Sequence, residues 1–93
     1  MKYIVRTPHF RQSFRQRIQY NLQLRELFHQ QLELFLVGDI EKTQPHVLKG
    51  NMLGLWSFSI TKDIRVIYKE EEKFYVLVDV GTHEQVYGKE RTS

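Results

Sequence analysis

The chain has 93 residues and no cysteine. That excludes a disulfide scaffold and any zinc or iron–sulfur centre held by thiolates, and it fits a reducing compartment. No apolar run approaches the ~20 residues that a membrane span needs, and the N-terminus lacks the apolar core of a signal peptide. A Gly-rich phosphate loop, a Ser-His-Asp arrangement, internal repeats and low-complexity segments are also missing. His9 and His29 are not spaced as metal ligands, so neither a metal nor a cofactor is expected. Acidic residues are absent from Pro8 to Tyr20, a stretch that carries Arg11, Arg15 and Arg17.

What is present points to a small folded domain. At 41% hydrophobic and 13% aromatic residues the chain is too apolar to stay disordered. A domain of this size buries roughly 60–65% of its unfolded surface, enough for one modest core. One domain over residues 1–93 is the expectation, in the cytoplasm. The net charge is +3. Up to Lys49 there are eight basic and four acidic residues, and beyond it six basic and seven acidic. Such asymmetry suggests a polyanion or an acidic protein partner.

Hydrophobic periodicity gives an order of elements. Tyr3 to Thr7 alternates as a short strand. Thr7-Pro8 then supplies a helix cap followed by proline at the first helical position. Phe10, Phe14 and Ile18 recur every four residues and share a helix face. Asn21 permits a break or a cap. Leu24, Leu27, Phe28, Leu32, Phe35 and Leu36 form the buried side of a second helix, which Gly38 closes. A helical hairpin is the simplest reading, with one long helix as the alternative. Asp39 to Met52 is irregular. Strands are expected over Leu53–Ile60, Ile64–Lys69 and Phe74–Val80, joined by turns at Thr61–Asp63 and Glu70–Glu72. The fold class is therefore α+β, in the order β-α-α-β-β-β, with the helices packed on one face of an antiparallel-rich sheet.

Three segments in the second half carry a resemblance. His46-Val47-Leu48-Lys49-Gly50-Asn51, Arg65-Val66-Ile67-Tyr68-Lys69 and Gly81-Thr82-His83-Glu84-Gln85-Val86-Tyr87 resemble, in order and at matching spacing, the RelE/YafQ group of toxins from toxin–antitoxin modules. The element order above is that family's fold, so the resemblance covers nearly the whole chain. It implies a ribosome-dependent messenger-RNA endonuclease that inhibits translation, needs no metal, and is silenced by a cognate antitoxin in a toxin–antitoxin hetero-oligomer. The implied partners also include mRNA in the ribosomal A site and ribosomal RNA, but no membrane.

By the same resemblance His46, Asp63, His83 and Tyr87 fall on catalytic motif positions of the YafQ type. Arg65 matches the strand arginine of the RelE branch. Two further acidic or histidine positions of the YafQ pattern are Ser57 and Ser59 here, a departure that bears on the strength of catalysis. The residue types suit RNA cleavage, which needs a 2′-hydroxyl deprotonated, a 5′-oxygen protonated and a phosphorane stabilised. Histidine, with a reference pKa of about 6.5, performs either proton transfer near neutral pH. Arginine offers a fixed planar cation for phosphate oxygens. His46 and His83 are the acid/base candidates, Arg65 and Lys49 would stabilise phosphate, and Tyr87 would stack on a base or bond the phosphate. Arg11, Arg15 and Arg17 would contact ribosomal RNA or an antitoxin.

Each residue has a plainer reading. His46 and His83 suit exposed loops, Asp63 suits any hairpin turn, Arg65 could pair with a glutamate, and Tyr87 could pack on the core. Two other functions share the fold: a ParE-like toxin that poisons DNA gyrase, and a catalytically inactive relative that binds an antitoxin or nucleic acid.

Overall fold

A computed structural model of the chain describes residues 2–91, with side chains through Tyr87. Strand β1 (Tyr3–Arg6) leads into helices α1 (Pro8–Arg17) and α2 (Leu22–Leu36) and a short helix α3 (Ile40–Thr43). Strands β2 (His46–Val47), β3 (Trp56–Ser59), β4 (Ile64–Glu70) and β5 (Phe74–Thr82) follow, and helix α4 (His83–Arg91) ends the described chain. The sheet order is β1-β5-β4-β3-β2. β1 lies parallel to β5 and the other pairs are antiparallel. The expected β-α-α-β-β-β order is present, with α3, β2 and α4 added. The first strand of the expected meander, β3, is shorter than Leu53–Ile60, because Gly50–Met52 forms a 3-10 turn and Leu53 is 79% exposed.

Local chemistry sets the helix ends. The Thr7 hydroxyl accepts from the Phe10 N–H at 3.1 Å and donates to the Leu77 carbonyl at 3.0 Å. One side chain thus caps α1 and ties it to β5. Asn21 caps α2 by accepting from the Leu24 N–H at 3.1 Å, which makes two helices out of the ambiguous stretch. At the far end of α2, Gly38 takes φ +83°. Its N–H reaches the Phe35 carbonyl, and the Asp39 N–H reaches that of Leu34. That is a Schellman closure, which needs a left-handed residue.

The core lies between α1, α2 and one face of the sheet. Phe10, Ile18, Phe28, Leu32 and Phe35 meet Phe58, Val66, Tyr68, Leu77 and Val80 there. Phe35 is central, stacked on Phe58 at 4.3 Å and edge-on to Tyr68 at 4.8 Å. Large side chains buried this way are worth about 1.5–3 kcal/mol each. Leu77 and Val80, an odd spacing apart, both face this core. A bulge allows it: Ile67 pairs with Asp79 and Tyr68 with Leu77, which leaves Val78 as the extra residue.

The strand register fixes what faces the other way. Ser57 lies opposite Ile67, Ser59 opposite Arg65, and Arg65 opposite Gly81. Alternation turns all of these away from the core. Helix α4 contacts β4 and β5, and Gly81 has Gln85 immediately above it: a Cβ there would stand 2.6 Å from Gln85 Oε1. Among the described residues no helix is long and apolar enough to cross a membrane.

Candidate active site

Three separate stretches of chain bring the second face to life. His46 pairs opposite Ser57 at the sheet edge, and the Leu48 N–H bonds the Leu55 carbonyl at 2.9 Å, closing the loop that carries Lys49 and Met52. Arg65 stands on β4. His83 and Tyr87 stand on α4, one turn apart, so their side chains share a face. Their ring centroids are 4.5 Å apart at 56°. The N-terminus of α4 is held by a reciprocal pair: Thr82 N–H donates to Gln85 Oε1 at 2.9 Å and Gln85 N–H to Thr82 Oγ1 at 3.2 Å. This capping box decides where the helix starts and therefore where both rings point.

These stretches enclose an open cavity of about 430 Å³ lined by His46, Leu48, Lys49, Met52, Ser57, Arg65, His83 and Tyr87. Five residues singled out in the sequence meet here: His46, Lys49, Arg65, His83 and Tyr87. Ser57, which stands at an acidic or histidine position of the YafQ pattern, joins them, as do Leu48 and Met52, which were not singled out. His83 belongs to a helix rather than a loop. Asp63 does not line the cavity. It is exposed in the β3–β4 turn, where its N–H bonds Thr61 Oγ1 at 3.1 Å.

Arg65 is the best-anchored charge in the cavity. Its Nε donates to Ser57 Oγ at 2.8 Å, and its Nη2 donates to the Gln44 carbonyl at 2.7 Å and the Ser57 carbonyl at 3.1 Å. These bonds engage the Nε–Nη2 edge, and none of them involves Nη1. Partial burial lowers the guanidinium below its ordinary proton affinity, and a hydrogen bond and charge interaction with Tyr87 pull the other way. An arginine so placed stays protonated across the physiological range. It presents positive charge to a cavity whose other polar side chains are two imidazoles, an ammonium, a phenol and the Ser57 hydroxyl.

The arginines of α1 divide. Arg17 is turned inward: Nη1 bonds the Val80 carbonyl at 2.9 Å and pairs with Asp79 at 3.3 Å. Arg11 and Arg15 are exposed and form no ion pair among the described residues. With Arg6 and His29 they rim a separate groove of about 280 Å³ whose lining includes Phe10, Phe14 and Phe28. His9 lies 3.4 Å from Asp79. No group of three or more His, Asp or Glu side chains among the described residues is placed to hold a metal ion.

The fold has relatives. The family model of the bacterial toxin YafQ, from type II toxin–antitoxin systems, matches residues 2–88. The chain belongs to the YafQ toxin family. Solved structures agree with that assignment at the level of fold. The crystal structure of YafQ from E. coli strain BL21(DE3) superposes with a TM-score of 0.74 at 17% identity, covering 95% of this chain and 100% of that one. YafQ in the E. coli DinJ–YafQ complex gives 0.72 at 17% identity, with 95% and 100% covered. The YoeB dimer from Staphylococcus aureus gives 0.70 at 17% identity, with 88% and 97% covered. YafQ and YoeB also occur in toxin–antitoxin complexes, with DinJ and with YefM. No curated protein matches this member of the family by sequence.

Proposed function

We propose that this YafQ-family chain is a ribosome-dependent mRNA endonuclease that inhibits translation and is held inactive by a cognate antitoxin. One observation carries the reading: His46 and His83 line one cavity whose polar wall is the anchored Arg65 guanidinium. That set suits transesterification without a metal. One imidazole removes the proton of the ribose 2′-hydroxyl, and the 2′-oxygen attacks phosphorus. The P–O5′ bond breaks, the other imidazole protonates the departing 5′-oxygen, and a 2′,3′-cyclic phosphate and a 5′-hydroxyl result. Each proton transfer is worth about 10²–10⁴-fold. Arg65 Nη1 and Lys49 offset the charge that grows on the phosphorane. Tyr87, which shares the cavity with Arg65 and lies tilted against His83, orders the nucleotide by ring contact or through its hydroxyl.

Asp63, outside the lining, has no step in this mechanism, and Arg17 is assigned to structure. Arg11 and Arg15 remain free to meet polyanion, and we assign them to ribosomal RNA. The acidic partner that the basic half calls for is the antitoxin, by analogy with the complexes of YafQ and YoeB. A protein with this activity works where ribosomes are, in the cytoplasm.

The test is primer extension on a translated reporter mRNA, with and without ribosomes, for wild type and His83→Ala. The reading expects ribosome-dependent cuts that vanish in the variant. A growth-arresting wild type that makes no cuts would overturn it in favour of a gyrase poison, and neither cuts nor arrest would favour an inactive binding protein.

A further inference from the structure

We propose that Ser57 is a positioning residue for Arg65, and that its hydroxyl and the Gln44 carbonyl together decide which edge of the guanidinium meets a phosphate. The inference rests on reading the cavity as an RNA-cleaving site, and it gives a role to a position where the family pattern has an acid or histidine. Ser57 is 1% exposed, so its hydroxyl is not a solvated surface group. It stands two residues from Ser59 on the same sheet face, and its Oγ accepts from Arg65 Nε at 2.8 Å across the β3–β4 pair.

Gln44 supplies the second hold from a different element. It ends α3 with φ +46° and ψ +64°, and it is the one non-glycine residue with positive φ among the described residues. A side-chain-bearing residue adopts that conformation at a cost. Here it sends its carbonyl to Arg65 Nη2 at 2.7 Å. With Nε and Nη2 so engaged, rotation about the terminal torsions of Arg65 would break hydrogen bonds to a charged group. The side chain is therefore ordered before substrate arrives, and binding does not bear that entropy cost. Those bonds turn Nη1 toward a phosphate oxygen, beside the Tyr87 side chain that lines the same cavity. An aspartate at position 57 would neutralise Arg65; a serine hydroxyl holds it and leaves its charge for the substrate.

The experiment has two arms on the full chain. In the first, ¹⁵N NMR follows the Arg65 Nε–H group. A resolved signal exchanging slowly with water is expected in the wild type, faster by about tenfold or more in Ser57→Ala, and slow again in Ser57→Thr, which keeps the hydroxyl. A wild-type signal that exchanges as fast as that of exposed Arg25 would overturn the proposal without any variant. In the second arm, single-turnover cleavage on ribosomes is measured for Ser57→Ala, Arg65→Ala and the double variant. Ser57→Ala should slow cleavage by on the order of tenfold or more with ribosome affinity within about twofold, and should add nothing once Arg65 is absent. Losses that simply multiply in the double variant would overturn the proposal. If the wild type cleaves no RNA, the reading of the site fails while the NMR arm still decides whether Ser57 positions Arg65.

Discussion

His83 and Tyr87 sit one turn apart on α4 with ring centroids 4.5 Å from each other, and both line the cavity that holds the Arg65 guanidinium of β4. A helix that begins at His83 therefore places the proposed proton-transfer group beside the proposed phosphate-binding one. The capping box of Thr82 and Gln85 sets the rotation of that helix, so a few hydrogen bonds outside the cavity govern the geometry inside it.

Removing the imidazole should cost activity and little else. His83 is exposed, so His83→Ala should keep the melting temperature within a few degrees. Its cleavage rate on ribosomes should fall about 10²–10⁴-fold. Tyr87→Phe, which keeps the ring against His83 and loses only the hydroxyl, should fall less. Equal losses in the two variants would contradict the roles assigned.

The start of α4 should be sensitive to changes that never touch substrate. Gln85→Ala removes half of the capping box and should cost about 1 kcal/mol by chemical denaturation. Gly81→Ala is the harsher change, since the new Cβ would meet Gln85 Oε1 at 2.6 Å and Arg17 Nη1 at 2.8 Å. Overpacking of that kind costs about 1–3 kcal/mol. Both variants should lose cleavage beyond what their stability explains, as measured well below their melting temperatures.

The arginines of α1 should separate by assay. Arg17→Ala leaves a largely buried Asp79 short of its partner, and should destabilise the fold by about 1–3 kcal/mol. Arg15→Ala should change stability by less than about 0.5 kcal/mol, yet weaken ribosome association and flatten its dependence on salt. Sedimentation with ribosomes at two salt concentrations distinguishes these outcomes.

Tyr68 should shape the alkaline limb of stability. Burial, reinforced by Glu70 and Tyr75, raises its phenol above the ordinary value of 10.0. The folded state thus keeps a proton that the unfolded chain releases as pH rises past about 10. Its contribution is full below that pH and is lost progressively above it. Urea unfolding from about pH 9 to 11 should show wild type losing more stability than Tyr68→Phe over the same interval.

Much of this was legible in the chain itself. The Thr7 and Asn21 caps, the Gly38 closure, the four-residue aromatic spacing of α1 and the alternation of β4 are local signals, each read by a local rule. The capping box was legible as well, since Thr82-His83-Glu84-Gln85 has the required pattern, and four-residue spacing of His83 and Tyr87 would then have predicted their shared face. Strand alternation alone could have paired Ser57 with the face of Arg65. The two-residue β2 and the bulge at Val78 had no such signal, because both exist only through pairing with a neighbouring strand.

The sequence by itself determined the residue types that RNA chemistry requires, the α+β order, and the family to which the chain belongs. The tertiary structure alone decided which of those residues meet. Asp63 and Arg65 are two positions apart, yet one ends in a solvated turn and the other in the cavity wall. Arg15 and Arg17 are equally close, yet one is free and the other is bonded to Asp79. The first pair diverges because Asp63 lies in the turn before β4 while Arg65 lies within the strand, and the second because a helix turns each residue by about 100°. Register and packing, which depend on contacts distant in sequence, then select which side chains converge.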